Sequence, residues 1–244
     1  MTDSENQAIE NSNPVPTVIA VVGPFRSGTS CVAGMLHTLG VSMGNKFPTS
    51  GIANEKGFFE AMHLRRMMSQ CFSWPMLESK NVSHEQLVEI LKDHYSFRLT
   101  RNRRTKISSD EFDDSFLGIK HPALCLMIPE IKESCSSMKA IAITRDIESA
   151  VKSMGCAGLF PMVSPEDRTE LVNRLIKTRD DALASNQIDT LKIDYADVIA
   201  NPASVVDSMI KFLGITPTQD QIQAAVAFVD SSLCHYPRKE LNPS

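Results

Sequence analysis

Four short apolar segments recur along the chain, and each is followed by a longer stretch in which apolar residues are spaced three and four positions apart. A short, β-branched apolar run is typical of a strand buried on both faces of a parallel sheet, and the wider spacing indicates one face of a helix. The pattern therefore predicts an α/β fold with three layers, α/β/α, around a central parallel sheet. The strands are predicted at 18–22, 116–120, 138–144 and 190–193.

Capping and breaking residues bound the helices that are predicted between these strands. Ser83 N-caps one helix, Pro165 begins a long one, and Gly214 ends another. A short strand is predicted at 41–43 and a loop at 44–57. The basic stretch 97–106 contains no acid and is predicted to be a solvated face. Helices are predicted to begin at 29 and at 83, and another follows 145–146 and ends at about 154. The remaining helices are predicted at 58–71, at 123–133 with a break near Pro129, and at 165–185, 202–213 and 219–229.

Composition and charge exclude several classes of partner. The net charge of the 244 residues is −4, which provides no general attraction for nucleic acid or anionic lipid. No apolar run approaches the roughly 18 residues of a membrane span. The first 16 residues lack the pattern of a signal peptide, so we expect a disordered tail at 1–16 and a single domain at 17–244. Six scattered cysteines favour a reducing, cytoplasmic location, and the oligomeric state is left open.

The loop from Gly23 to Gly28 is the most informative segment. It joins the first predicted strand to a helix that begins at Thr29, and it has the glycine spacing of a phosphate-binding P-loop. Backbone N–H groups and the dipole of the helix favour an anion there. However, Thr29 occupies the position of the P-loop lysine, and the nearest cation is Arg26, within the loop. This displaced charge argues against triphosphate hydrolysis and for a different anion.

The residues that directly follow the predicted strands extend this interpretation. In parallel sheets, ligands bind at the carboxyl ends of the strands. Those positions are 26–30, 120–121, 145–146 and 194–195, and three of the four are basic. Arg145 and Ser153, two helical turns apart, are placed to bind one phosphate together. The loop would bind a second, so the sequence predicts one ligand with two separated phosphate-type groups.

Several segments, in this order, resemble the sulfotransferases. GPFRSGTS looks like their 5′-phosphosulfate loop, R/K-S-G-T-S/T after the first strand, and TRD with Ser153 resembles their 3′-phosphate motif, although Ile147 replaces a proline. GIKHPALCLMIPEI and NEKGFFE resemble the G-x-K-x-P and N-x-x-G-F/Y/W-x-E segments of bacterial members. Residues 195–214 are similar to the family's Y-x-D-L/V-x-x-x-P…F-L-G block. The matches span about 18–214, and their spacing is more specific than any single motif.

The resemblance implies transfer of a sulfuryl group from 3′-phosphoadenosine 5′-phosphosulfate (PAPS) to a hydroxyl or amine, without a metal. Arg26 would bind the 5′-phosphate and the bridging oxygen, where charge develops as the S–O bond breaks. Arg238 would close over the 3′-phosphate, because family C-termini tend to lie there. The residues implied for the co-substrate are Gly23, Arg26, Ser27, Gly28, Thr29, Ser30, Arg145, Ser153 and Arg238.

A general base must take the proton of the acceptor. Glu60 and His121 are the candidates, because branches of the family use Glu or His. Glu60 is favoured, since an acid in this loop-to-helix segment matches the bacterial pattern. Lys120 is the candidate for stabilising the sulfuryl oxygens.

Two other functions stay open. A P-loop kinase or nucleoside triphosphatase would use Asp194, after the fourth strand, to hold magnesium, but it would lack the loop lysine. A catalytically silent binding protein would keep the nucleotide site alone. The acceptor is not determined by the sequence, although Phe58, Phe59, Trp74, Met76 and Phe160 indicate a partly apolar substrate. For Trp74 a core role is favoured, and stacking on adenine is the alternative.

Overall fold

The computed structural model describes residues 16–44, 57–105, 115–156 and 160–230, with the backbone alone at 101–105. The strands are β1 (Thr17–Val22), β2 (Phe72–Ser73), β3 (Glu78–Ser79), β4 (Phe116–Lys120), β5 (Met138–Thr144) and β6 (Thr190–Asp194). The helices are α1 (Thr29–Thr38), α2 (Met62–Cys71), α3 (His84–Thr105), α4 (Ile128–Ser134), α5 (Ile147–Cys156), α6 (Pro165–Ser185), α7 (Tyr195–Ala200), α8 (Pro202–Leu213) and α9 (Gln219–Ala227), with a 3₁₀ helix at Pro122–Leu126 before α4.

The central sheet has four parallel strands in the order β4-β1-β5-β6. Val21 of β1 pairs with Lys120, and Val22 pairs with Ala142. Thr144 of β5 pairs with Asp194 at the end of β6. The carboxyl ends of the four strands therefore meet at one edge of the sheet, as the sequence predicts.

Both faces of the sheet are covered by helices, which confirms the predicted three-layer α/β/α architecture. Val18, Ala20 and Val22 of β1 pack on one side and Ile19 and Val21 on the other, following the alternation of side chains along a strand. The first side is covered by α2 to α6 and the 3₁₀ helix. The second side is covered by α1, α8 and α9.

Several element boundaries differ from the prediction. Helix α2 begins at Met62 instead of residue 58, because Gly57 (φ 92°) and Phe59 (φ 50°) have left-handed backbone that a right-handed helix does not accept. The predicted strand at 41–43 is a single bridge from Ser42 to Leu117. The helix predicted at 123–133 is interrupted at Met127, two residues before Pro129.

Two elements were missed by the sequence analysis. The chain turns into α7 directly after β6, and Asp194 caps this helix by accepting from the backbone N–H of Ala196 at 2.8 Å. The short strands β2 and β3 form an antiparallel hairpin. Both elements are too short for the periodicity of apolar residues to reveal them.

Arg98 corrects the prediction that the basic stretch is a solvated face. This side chain on α3 is only 4% exposed, and it donates hydrogen bonds to the carbonyl oxygens of Gly118 and Ser42, both at 2.6 Å, and to Ser42 Oγ at 3.1 Å. Burial lowers the pKa of Arg98 to about 10. The guanidinium joins α3 to β4 and to the chain that follows α1.

Some predictions lie partly or wholly outside the described residues. The predicted tail at 1–16 is described at Pro16 alone, and the predicted loop at 44–57 is described only at its two ends. In the described ranges, no helix is long and apolar enough to cross a bilayer. The cysteines in those ranges, at 31, 71, 125, 135 and 156, are not joined in disulfide bonds.

Replacing Arg98 by Met should lower the free energy of unfolding by about 2–5 kcal/mol, because the change removes three charge-assisted hydrogen bonds and leaves buried carbonyl groups without a donor. Urea denaturation measures this loss. The matched control is Lys92→Met on the same helix, where the side chain is half-exposed and pairs with Glu89; it should change stability by no more than about 0.5 kcal/mol. An equal loss in both variants would contradict the bridging role of Arg98.

Candidate active site

The loop between β1 and α1 has a fixed and unusual backbone. Arg26 (φ 61°) and Gly28 (φ 94°) both have left-handed backbone, which is uncommon for a residue with a side chain. Ser27 stabilises this turn, because its Oγ donates to the carbonyl oxygen of Pro24 at 2.8 Å. Strain of this kind persists where surrounding contacts impose it, and it occurs often at ligand sites.

The two glycines of the loop are required by close contacts. A Cβ atom at Gly23 would lie 2.8 Å from the carbonyl oxygen of Ile143, and one at Gly28 would lie 2.1 Å from Cδ2 of Tyr195. Helix α1 begins immediately afterwards, at Thr29. Its first N–H groups have no acceptor within the helix, so they and the helix dipole form an anion site.

Arg26, Arg145 and Ser153 meet beside this loop. Arg26 Nε donates to Ser153 Oγ at 2.9 Å, and Arg145 Nη1 donates to the carbonyl oxygen of Arg26 at 3.1 Å. The sequence predicts that Ser153 and Arg145 bind one phosphate together; in the structure Ser153 Oγ accepts from the guanidinium of Arg26, and the shared phosphate stays a prediction. Burial and the positive charge of Arg145 both lower the pKa of Arg26. Two cations held this close provide an electrostatic site for an anion.

Tyr195, which the sequence places directly after a strand and within the family's motif, is a member of this cluster. Its ring lies against Gly28, and the guanidinium carbon of Arg145 is 5.0 Å from the ring centroid. That distance is within the range of a cation–π contact. Tyr195 therefore holds Arg145 on the side of the loop that faces β6.

Lys120 connects the loop to Glu60. Lys120 Nζ lies 2.8 Å from Glu60 Oε1 and 3.1 Å from Ser30 Oγ. Both charged side chains are buried, at 4% and 7% exposure. Burial raises the pKa of Glu60, but the charge of Lys120 and the hydrogen bond from Lys120 outweigh it, so the pKa lies below its usual value. Glu60 is thus a carboxylate at neutral pH.

His121 has a structural role at the end of β4. Its Nδ1 accepts from the backbone N–H of Ala123 at 3.1 Å and caps the 3₁₀ helix. Burial lowers the pKa of His121 to about 4, against the opposing charge of Glu60. The imidazole is therefore neutral at physiological pH, with one nitrogen engaged by the backbone. Its role as a general base stays a prediction.

Arg179 is a buried cation near the site that the sequence analysis missed. It is 2% exposed, and its Nη1 donates to the carbonyl oxygen of Ile143 at 2.7 Å while Nη2 lies 3.4 Å from Thr144 Oγ1. It thereby fixes the end of β5 directly before Arg145. The signal was present in the sequence, because Arg179 lies four residues from Leu175 and from Leu183 on the apolar face of α6.

Two further predicted residues have a different outcome. Trp74 is not a core residue, because its side chain is 56% exposed at the turn of the β2–β3 hairpin. Arg238 lies outside the described residues. Within the described ranges, no group of three or more His, Cys, Asp or Glu side chains is arranged to hold a metal ion.

Comparison with known proteins gives the family. The family model described as "Sulfotransferase family" matches residues 16–220. The chain belongs to the sulfotransferase family. This match covers most of the chain and confirms the resemblance that the loop and the strand-end motifs carried. A comparison with curated proteins gave no significant match.

Three solved sulfotransferases share the fold. The sulfotransferase domain of the olefin synthase of Synechococcus PCC 7002 aligns with a TM-score of 0.55 and 14% identity over 96% of this chain and 91% of that one. The sulfotransferase domain from the curacin biosynthetic pathway aligns with a TM-score of 0.52 and 16% identity over 87% of this chain and 78% of that one. Sulfotransferase STF1 of Mycobacterium tuberculosis H37Rv aligns with a TM-score of 0.50 and 15% identity over 88% of this chain and 71% of that one. At these identities the likeness shows the fold alone.

His121 should make the stability of the protein pH-dependent. In the unfolded chain it takes up a proton near pH 6.5, whereas the folded pKa is about 4. Between these values protonation stabilises only the unfolded state, so the free energy of unfolding falls as the pH falls, by up to about 1.4 kcal/mol per pH unit. His121→Asn keeps an acceptor for Ala123 but does not titrate, and it should flatten this slope in urea denaturation.

His84→Asn is the control for this measurement. Hydrogen bonds to Glu133 and Glu130 raise the pKa of His84, so its contribution is complete below pH 6.5 and is lost only as the pH rises above that value. This variant should keep the wild-type slope between pH 4 and 6.5. An unchanged slope in His121→Asn would show that His121 is not held neutral by burial.

Proposed function

We propose that this protein transfers a sulfuryl group from PAPS to a hydroxyl or amine acceptor and releases adenosine 3′,5′-bisphosphate. The observation that carries the proposal is the meeting of Arg26, Arg145 and Ser153 beside a glycine-bounded loop that has no P-loop lysine. Two cations and a hydroxyl suit a ligand with two phosphate-type groups. Membership of the sulfotransferase family supports the same chemistry.

The loop would bind the 5′-phosphosulfate. Ser27, Thr29 and Ser30 bring backbone N–H groups and hydroxyls to the N-terminus of α1, and Arg26 brings the charge. As the bond between sulfur and the bridging oxygen breaks, negative charge develops on that oxygen. A preorganised donor at this point typically contributes about a hundred- to a thousandfold in rate.

Arg145 and Ser153 would bind the 3′-phosphate. In the structure the hydroxyl of Ser153 is already within hydrogen-bond distance of Arg26, and Arg145 is held by the loop carbonyl and the ring of Tyr195. The negative charges of the bound nucleotide would offset the repulsion between Arg26 and Arg145, which together with burial lowers the pKa of Arg26.

Lys120 and Glu60 would act on the acceptor side of the reaction. The new bond forms between the acceptor oxygen or nitrogen and sulfur, and the acceptor proton passes to the carboxylate of Glu60. Lys120 now holds Glu60 ionised and lowers its basicity. When Lys120 turns towards the sulfuryl oxygens, its hold on Glu60 weakens, and burial raises the pKa of the carboxyl towards the range that a base requires.

The kinase alternative is disfavoured by the position of Asp194. Its side chain caps α7, and β6 is separated from β1 by β5. A carboxylate that already caps a helix, and a loop without the P-loop lysine, both count against a magnesium-assisted phosphoryl transfer.

Adenosine 3′,5′-bisphosphate should stabilise the wild type, by about 2.7 kcal/mol at 100 times its dissociation constant. Arg145→Ala should require at least about tenfold more ligand for the same shift, because a charge-assisted contact is lost. Thermal denaturation measures both. Lys177→Ala, an exposed charge change on α6, should behave as the wild type. No stabilisation of the wild type, together with stabilisation by magnesium and adenosine triphosphate, would support the kinase alternative instead.

Glu60→Gln should reduce the rate of transfer by about 10²–10⁴-fold while the affinity for adenosine 3′,5′-bisphosphate stays unchanged, because the amide cannot accept the proton. The rate is the release of that product from PAPS in the presence of alcohol, phenol and amine acceptors. His121→Asn tests the competing base in the same assay. Loss of activity in this variant alone would make His121 the base, and nucleotide binding without transfer in the wild type would indicate a silent binding protein.

A further inference from the structure

Three aromatic side chains form a cluster beside the loop. The rings of Trp74 and Phe160 are stacked, with centroids 5.1 Å apart and planes 18° apart. Phe25 meets both of them edge-on, at 5.2 Å and 5.1 Å. Phe25 and Phe160 are buried, whereas Trp74 is 56% exposed. The indole is therefore packed on Phe160 and Phe25 and is still more than half exposed.

The backbone on both sides of this cluster is held by α6. The turn of the hairpin is closed by a hydrogen bond from the N–H of Leu77 to the carbonyl oxygen of Ser73 at 2.8 Å. Arg174 donates to the carbonyl oxygen of Met76 in the same turn. Arg168 Nη2 donates to the carbonyl oxygen of Phe160 at 2.9 Å. The exposed indole thus lies on a turn whose backbone is fixed by hydrogen bonds.

The cluster adjoins the reacting end of the proposed site. Phe25 directly precedes Arg26, whose side chain reaches Ser153 on α5. On the side of the loop that faces β6, Tyr195 already packs against Gly28 and Arg145. The aromatic cluster lies with the other face of the sheet, in the core formed with α2 to α6.

We propose that the exposed indole of Trp74 binds an aromatic ring of the acceptor, so that the acceptors of this protein are alcohols or phenols that carry such a ring. This inference rests on the proposed sulfuryl transfer. A rigid, half-open indole buries apolar area at little entropic cost, and a planar ring stacked on it gains energy beyond the area buried. Phe160 and Phe25 hold the indole in place for that contact.

The segment that carries Trp74 favours the acceptor over the adenine of the nucleotide. Glu60 and Trp74 flank α2, whose buried residues pack in the same core as Phe25 and Phe160. Arg145, proposed for the 3′-phosphate, instead contacts Tyr195, which follows β6.

The test uses Trp74 as its own probe, because it is the only tryptophan of the chain. The full-length protein, saturated with adenosine 3′,5′-bisphosphate, is titrated with 2-phenylethanol and with 2-cyclohexylethanol, which share the hydroxyl and the approximate size but differ in aromaticity. We expect a saturable change in tryptophan emission and an affinity about three- to tenfold higher for the phenyl compound. Transfer from PAPS to both alcohols is measured separately.

Variants extend the test to KM values. Trp74→Ala should abolish the preference for the phenyl compound, and Trp74→Phe should retain most of it, with nucleotide affinity unchanged in both. The control is Met162→Ala, a fully exposed apolar residue two positions after Phe160, which should keep the wild-type preference. Thermal denaturation establishes that each variant is folded.

Equal affinity for the two alcohols, or an unchanged preference in Trp74→Ala, would overturn the inference. A tenfold loss of nucleotide affinity in Trp74→Ala, with unchanged acceptor preference, would assign the indole to adenine and also overturn it. Transfer to both alcohols without a change in emission would leave the sulfotransferase proposal intact and remove the aromatic site. Binding of 2-phenylethanol at Trp74 without transfer to any acceptor would support an aromatic-binding site at Trp74 and contradict the proposed sulfuryl transfer.

Discussion

The parallel pairing of β1 between β4 and β5 is the constraint on which the site depends. Because all strands run in the same direction, the residues that follow them emerge at one edge of the sheet. That edge receives Arg26 from β1, Lys120 at the end of β4 and Arg145 from β5. Residues more than a hundred positions apart in the chain thereby face a common space, in which a ligand with several negative charges is favoured.

Holding these cations together has an electrostatic cost, and neighbouring groups offset part of it. Lys120 is neutralised by Glu60 at 2.8 Å, and Arg145 lies over the ring of Tyr195. Burial and Arg145 lower the pKa of Arg26, and Tyr195 opposes this shift only in part. Arg179, on α6, fixes the end of β5 by donating a hydrogen bond to the carbonyl oxygen of Ile143. Hydrogen bonds therefore hold the cations in place before a ligand arrives, which is the arrangement that the proposed transfer would require.

The differences between prediction and structure have local causes. Apolar periodicity identified the four strands of the central sheet, since buried parallel strands are nearly uniform in composition. The same periodicity placed the start of α2 too early, because the spacing of apolar residues does not indicate the left-handed backbone at Phe59. It assigned Arg98 to solvent, because a charge run is usually exposed, whereas backbone carbonyl groups of β4 and Ser42 satisfy this guanidinium in the interior.

The sequence by itself determined the fold class, the glycine-bounded loop with its displaced charge, and the basic residues at the strand ends, because each is encoded by neighbouring positions. Only the tertiary structure decided which side chains contact each other. Ser153 is hydrogen-bonded to Arg26, Lys120 pairs with Glu60, and the ring of Trp74 stacks on Phe160. These contacts join residues 60 to 127 positions apart, or lie at a hairpin too short to have a period. Their geometry follows from the order of strands and the packing of helices, which no local pattern records.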